Sequence, residues 1–529
     1  MELLTDLYQF SMAYGYWRSG RHRDTAEFEL FFREAPFRGV FTLFCGLQEA
    51  LRFLRGFRFS CSDIDYLKSV LPATVEEGFY DYLQTVDTSD VTVIAFPEGS
   101  VVFPREPLMK VRGPLLVVQL LETTLLCLVN YASLVATNAA RFRLAAGTDK
   151  RLLELGLRRA QGPDGGLSAS KYTYVGGFDC TSNVLAGKRF GIPVAGTMAH
   201  SYVSSFSGAS ELQCRTLRPA NEQEGEVDLL ALSQTWLEKV CQLLHIPPHS
   251  ANPGELSAFV SYAIAFPNNF LVVVDTYSVL MSGVPNFCAV ALALLQLGYR
   301  ATGVRLDSGD LAKQSLEIRK VFQQCARKFQ APSLETLSIA ISNNISEKSL
   351  KLLTKEKNEV NVIGVGTHLV TCPLQSSLGC VYKLVQVNDQ PCMKVTEDQK
   401  KTTIPGSKAV YRLYDGAGNM LLDLLALEDE PAAEVGREVK IYELGKNTES
   451  GTVTPIRAEL LHRVYFQGGQ ISSSPPLPSL AEIRSYAQRC LAALSDQHRY
   501  LDDPAPYPVA VSEKLHSLLA TVRQNGYLQ

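Results

Sequence analysis

The chain has no excess of either charge: 51 Lys and Arg stand against 54 Asp and Glu, for a formal net charge of -3. That balance gives no electrostatic case for nucleic acid or an anionic membrane as the main partner. Any phosphate site must therefore be local, built from a few placed cations and backbone amides. The 12 cysteines include no CxxC pair and no short disulfide-scaffold spacing, which reads as reduced thiols in a cytosolic protein. Among them, the His368, Cys372, Cys380 and Cys392 set has a spacing that fits no zinc pattern. A basic n-region is missing from the start, where Glu2 and Asp6 stand instead, so no secretory signal is expected there. An uninterrupted membrane-length run is missing too. The most apolar stretch, Leu115 to Ala136, is broken by Glu122 and Asn130, and a buried helix is the better reading. No internal repeat of fixed period is present.

What the chain does have is bulk and pattern. With 529 residues, 46% of them apolar and 20% charged, it has a globular composition and the length for roughly two to four domains. Residues 91–119 alternate apolar and polar and are broken by Pro and Gly, the mark of antiparallel strands with turns. Residues 377–425 repeat the pattern at GCVYKLVQV, AVYRLYD and MLLDLLAL. The two β-rich blocks flank the middle of the chain and can share one sheet domain. GGQISSSPPLPS (468–479) reads as a linker, with helical segments after it.

Between about 140 and 370, apolar β-rich runs alternate with amphipathic helical runs. The predicted strands are YTYVGG (172–177), IPVAGT (192–197), FLVVVD (270–275), TGVRLD (302–307), LSIAIS (337–342) and NVIGVG (361–366). Strands separated by helices such as 284–299 and 308–329 imply βαβ units and a parallel sheet, either a barrel or an open doubly wound sheet.

Nearly every one of these strands runs into polar or charged residues at its C-terminal end, the face that carries the chemistry in α/β barrels. Gly364-Val365-Gly366-Thr367 is either a phosphate grip, with two glycines admitting an anion to backbone amides and Thr367 adding a hydroxyl, or a plain tight turn. Arg158 and Arg159 precede a Gly-Pro-Asp-Gly-Gly stretch that could fold over a ligand, and their forks suit phosphate. Asp275 and Asp307 can accept from sugar hydroxyls or hold Mg²⁺ bridged to phosphates, whereas Asp310 reads as helix N-terminal decoration. His200 follows a glycine-containing strand end beside Thr197 and Ser201. It suits a base, or a nucleophile that takes a phosphoryl group, and the sequence does not choose.

These segments resemble nicotinate phosphoribosyltransferase, in its vertebrate-type form. The likeness runs from LTDLYQFSMAYGYW (4–17) through ATNAARFRLAAG (136–147), GLRRAQGPDGG (156–166), GGFDCTSNVLAG (176–187), PVAGTMAHS (193–201), DTYS (275–278), GVRLDSGDL (303–311) and NVIGVGTHLVTCP (361–373). Such a resemblance implies an irregular α/β barrel (136–372) joined to a discontinuous β-rich sandwich domain (1–135 and 373–440), with a C-terminal helical extension (441–529). It implies the first step of NAD synthesis from nicotinic acid: nicotinate and phosphoribosyl pyrophosphate give nicotinate mononucleotide and pyrophosphate, coupled to hydrolysis of ATP to ADP and phosphate. His200 matches the histidine phosphorylated by ATP. Tyr8, Thr197 and Arg305 match nicotinate contacts, and Thr367 a phosphoribosyl pyrophosphate contact. The resemblance extends the expected contacts of that sugar phosphate to Arg158, Asp275, Asp307 and Lys383; the glycine-rich turn adds Gly364 and Gly366, and Asp275 is the expected metal ligand. The family uses Mg²⁺ or Mn²⁺ and works as a homodimer with a shared active site.

Three rival readings fit the residues less well. Nicotinamide phosphoribosyltransferase places an acidic side chain where this chain has the neutral Thr181-Ser182-Asn183. Quinolinate phosphoribosyltransferase needs extra cations for a second carboxylate. A non-catalytic family member would have little reason to keep His200, Arg305, Asp307 and Thr367 together.

Overall fold

The computed structural model describes residues 2–221, 225–394, 396, 398, 401–444, 449–474 and 476–527. They form two compact units, Arg141–Thr371 and a unit made of Met1–Ala140 with Cys372–Gln529.

In the Arg141–Thr371 unit, six strands form one sheet in the order Leu271–Val273, Gly303–Leu306, Ser338–Ile341, Val362–Val365, Arg151–Glu154 and Cys180–Thr181. All five pairings are parallel, with Val273 beside Arg305, Arg305 beside Ala340, Ile341 beside Ile363, Val365 beside Glu154 and Glu154 beside Thr181. Residues such as Val272, Val304, Ile339 and Ile363 are fully buried, as expected for a parallel sheet covered by helices. The helices Val284–Gln296 and Leu311–Lys328 lie where the sequence pattern puts them. Asp310 caps the second by accepting from the Lys313 amide at 3.0 Å. Because the strands are parallel, their C-terminal ends collect at one edge.

Segment 192–197 links the two outer strands. On one side the Thr181 amide donates to Pro193 O and the Ala195 amide to Thr181 O, both at 3.0 Å. On the other, the Thr197 hydroxyl donates to the Leu271 carbonyl.

Three sequence readings in this unit need correction. Segment 192–197 is not a strand and makes only an isolated bridge, Val194 beside Thr181. Residues 172–175 close the helix Gly162–Val175 instead of forming a strand. Tyr, Thr and Val favour strands locally, but the buried face of this helix and hydroxyl bonds from Ser170 to Gly166 O (3.0 Å) and Thr173 to Ala169 O (2.7 Å) outweigh propensity. The Gly-Pro-Asp-Gly-Gly stretch supplies the first turn of the same helix, with Pro near its start, and is not a free loop. The sheet position goes to Cys180–Thr181, while Arg151–Glu154 is a strand that the charged ends of RLLE concealed.

The other unit contains an antiparallel seven-stranded sheet ordered Gln390–Pro391, Cys380–Val387, Thr25–Phe32, Met109–Pro114, Thr92–Ala95, Arg463–Gln467 and Gln470–Ile471. Of the second β-rich block, Cys380–Val387 meets the first block here, joined through Thr25–Phe32, while Lys408–Tyr414 and Met420–Leu427 lie in another sheet. A second sheet of six strands runs Glu449–Val453, Val439–Glu443, Val509–Val511, Met420–Leu427, Lys408–Tyr414 and Arg457–Leu460. Residues 441–529 are therefore more than a helical extension. Val509–Val511 is inserted between Met420–Leu427 and Val439–Glu443, where Ala510 and Val511 are buried. The expected linker at 468–479 begins as a tight hairpin turn at Gly468-Gly469, between Arg463–Gln467 and Gln470–Ile471; its Pro475 lies outside the described residues.

The helices Leu115–Leu120 and Glu122–Ala146 replace the apolar stretch read as a buried helix. Two segments, Glu122–Ala146 and Val279–Gln296, are long and apolar enough to cross a membrane, and both are mostly buried inside the protein. No disulfide joins the cysteines among the described residues.

Candidate active site

His200 opens the short helix His200–Ser204 just after the linking segment, and its ring is partly exposed. Its Nδ1 lies 3.0 Å from Thr276 Oγ1. Its Nε2 faces two carboxylates, Asp275 Oδ1 at 3.7 Å and Asp307 Oδ2 at 3.6 Å. Those separations are too long for direct hydrogen bonds. All three partners stand at strand ends.

The carboxylates are held in turn. Asp275 Oδ2 accepts from the Asp307 amide at 2.8 Å and from Ser308 Oγ at 2.5 Å. Asp307 Oδ1 accepts from Ser342 Oγ at 2.8 Å. The Asp275 side chain is only 1% exposed, and its Oδ1 has no hydrogen-bond partner. A buried carboxylate oxygen left this way is costly, so the site is built to receive a cation or donor there. Among the described residues no three His, Cys, Asp or Glu side chains are grouped to hold a metal. That does not argue against Mg²⁺, which needs only one or two protein carboxylates when substrate phosphates supply the rest.

Arg305 projects from Gly303–Leu306 into the same neighbourhood. Burial pushes its guanidinium below its usual range, Asp307 and Asp275 pull it back, and Arg158 pushes it down again. Its Nε is buried without a partner. An arginine so placed has unspent donors for an anionic ligand. Behind Asp275, the fully buried Glu255 has its carboxyl pushed up to about 7 by burial; hydrogen bonds from Ser282 and Asn286 oppose the shift and Asp275 adds to it.

The structure thus brings together His200, Asp275, Asp307, Arg305 and, more loosely, Arg158 and Thr197. Thr367 begins the short helix Thr367–Val370 at the end of a neighbouring strand and is exposed. Gly366 has room around it, with the nearest atom to an added Cβ at 3.5 Å, so its backbone stays approachable. Gly364 is packed more tightly. A Cβ there would lie 2.5 Å from the Leu155 side chain, so this glycine serves close packing within the sheet. Tyr8, on Leu7–Arg18, and Lys383, on Cys380–Val387, belong to the other unit, where Tyr8 is 48% exposed and Lys383 pairs across strands with Glu29. Ser308, Ser342 and the Glu255 group have no sequence signal beyond standing near strand or helix ends, while Thr276 stands out only as the neighbour of Asp275.

Family models for the nicotinate phosphoribosyltransferase N-terminal domain and C-terminal domain match residues 3–130 and 407–519. The human nicotinate phosphoribosyltransferase is 57% identical over 98% of this chain and 96% of its own length. The chain belongs to the nicotinate phosphoribosyltransferase family.

The bovine nicotinate phosphoribosyltransferase is 56% identical over 99% of this chain and 97% of its own. The crystal structure of human nicotinic acid phosphoribosyltransferase superposes with a TM-score of 0.89 at 55% identity, covering 98% of this chain and 100% of that one. A nicotinate-nucleotide pyrophosphorylase from Pyrococcus furiosus, with a TM-score of 0.58, 18% identity and coverage of 92% and 94%, shares the fold alone. Family membership makes this chain an enzyme with a mixed α/β fold.

Proposed function

We propose that this enzyme joins nicotinate to the ribose of phosphoribosyl pyrophosphate, forming nicotinate mononucleotide and pyrophosphate in the first step of NAD synthesis from nicotinic acid. The observation that carries the reading is His200 set against Thr276 Oγ1 at 3.0 Å and two strand-end carboxylates, with Arg305 alongside. The pyridine nitrogen attacks the anomeric carbon as its bond to pyrophosphate breaks, and the leaving group departs with the electron pair. Asp275 and Asp307 would hold Mg²⁺ (or Mn²⁺), which neutralises the pyrophosphate when bound. Arg305 orients the substrate carboxylate, and Thr367 with Gly366 cradles phosphate. Arg158 adds a cation.

In this reading the parallel sheet with its linking segment is the irregular barrel, and the two sheets of the other unit form the sandwich. His200 accepts a phosphoryl group from ATP, and its hydrolysis drives product formation. The test is to incubate the protein with phosphoribosyl pyrophosphate, Mg²⁺ and either nicotinate or nicotinamide, with and without ATP, and to weigh the nucleotide formed. The acid mononucleotide should dominate and rise with ATP. Nicotinamide mononucleotide as main product would reject the assignment.

The enzyme acts as a homodimer in the cytosol, with Tyr8 entering the partner copy's site to stack on the pyridine ring. The exposure of Tyr8 on an N-terminal helix supports this. Mixing inactive Tyr8→Ala with inactive His200→Ala protein should restore part of the activity through hybrid dimers. No recovery after verified subunit exchange would count against a shared site.

A further inference from the structure

Resting on that reading, we propose that Glu255 is a positioning residue, which holds Asp275 and Thr276 at His200 through a buried polar clamp. Glu255 lies on the helix Pro253–Ala265 and is 0% exposed. Its Oε2 accepts from Ser282 Oγ at 2.5 Å and from Asn286 Nδ2 at 3.2 Å. Both donors are fully buried as well. The Asn252 amide donates to Ser282 Oγ at 2.8 Å, and Asn286 Nδ2 reaches Asn252 O at 3.1 Å. Four residues from three segments thus close one network, in which losing any member strands buried polar groups.

The network bears on the site through the chain next to it. Gly283 follows Ser282 and is pressed onto the strand end: a Cβ there would lie 2.0 Å from Val274 O. Val274 immediately precedes Asp275 and Thr276, both neighbours of His200. The loop that carries them is therefore tied at one end by the sheet and at the other by the clamp. Between these ties, the Ser278 side chain accepts from the Met281 amide at 3.3 Å, fixing the turn Val279–Gly283. A further sign that this carboxyl is not mere packing is that Glu255 Oε1 and Asp275 Oδ1 are both buried without partners, and Asp275 acts electrostatically on Glu255. An apolar side chain would fill the volume without that cost.

The test compares Glu255→Ala, Glu255→Gln and wild type. A displacement of about 1 Å in a catalytic group can cost about a hundredfold in rate. Glu255→Ala should therefore lower kcat and the rate of acid-labile labelling from γ-labelled ATP by about 10- to 100-fold, with the nicotinate KM changed less than about threefold. Glu255→Gln keeps an oxygen for Ser282 and Asn286 and should recover to within about threefold of wild type. The second readout needs no turnover: carbethoxylation of His200 by diethyl pyrocarbonate, followed by peptide mass, should speed up at least about threefold in Glu255→Ala and not in Glu255→Gln. Equal loss in the Ala and Gln variants, or an unchanged His200 reactivity in the Ala variant, overturns the clamp. If Glu255→Ala does not fold, Ser282→Ala takes its place under the same criteria. A wild-type protein that makes no acid mononucleotide would sink the proposed function, while the His200 reactivity would still decide the clamp.

Discussion

His200→Ala is expected to lose all acid-labile label from γ-labelled ATP and all stimulation of nucleotide synthesis by ATP. No other histidine can take over, because this imidazole alone is placed by Thr276 at 3.0 Å and by the carboxylates of Asp275 and Asp307 at 3.7 and 3.6 Å. A ring held in this way can take a phosphoryl group on one nitrogen while the other carries the proton. The fold should survive. The ring is 40% exposed on a five-residue helix, so its truncation should change stability by no more than about 1 kcal/mol. Thermal unfolding checks the second point, and radiolabel retained after base quench checks the first. Undiminished labelling of the variant would remove His200 from the mechanism.

The second large effect falls on the choice of acid over amide. Arg305 stands largely buried at a strand end, flanked by Asp307 and Asp275, with Nε unpaired. Truncating one partner of a buried, hydrogen-bonded charge pair costs on the order of 2–5 kcal/mol. At about 1.4 kcal/mol per decade, that is a loss of roughly 30- to several-thousand-fold in the nicotinate specificity constant. Nicotinamide carries no charge to lose, so its poor use should change far less. Arg305→Gln should therefore narrow the acid-to-amide ratio by at least about tenfold. If Arg305 instead serves the sugar phosphate, both bases suffer equally and the requirement for phosphoribosyl pyrophosphate rises. Measuring both bases at saturating phosphoribosyl pyrophosphate separates the two. The nearby Arg158 sharpens the comparison, since Arg158→Gln removes a cation from the same neighbourhood without touching the strand end.

Much of the site could be read from residues alone. Four predicted strands, those ending near Asp275, Asp307, Ser342 and Gly366, are strands in the molecule. Their C-terminal residues pointed to Asp275, Asp307 and Arg305, His200 was read from the end of segment 192–197, and the structure gathers these four. Glycine was less informative. Gly364 and Gly366 look alike in the motif, yet a Cβ at one would press on the Leu155 side chain and at the other would have room.

The sequence by itself determined the alternation of strand and helix, the cap at Asp310, the β-rich flanks and the family. All of these follow from local periodicity, residue chemistry and colinear motifs. Only the tertiary structure decided which local preference prevailed at Tyr172–Val175, where burial of a helix face outweighed β-branched and aromatic propensity. It alone made Val509–Val511 an inner strand. It alone joined groups far apart in the chain: His200 to Thr276, Asp307 to Ser342, and Glu255 to Ser282 and Asn286. The reason is physical. Periodicity records whether a residue is buried, whereas the identity of its neighbour depends on parallel pairing between segments well separated in the chain, where no local signal specifies the partner.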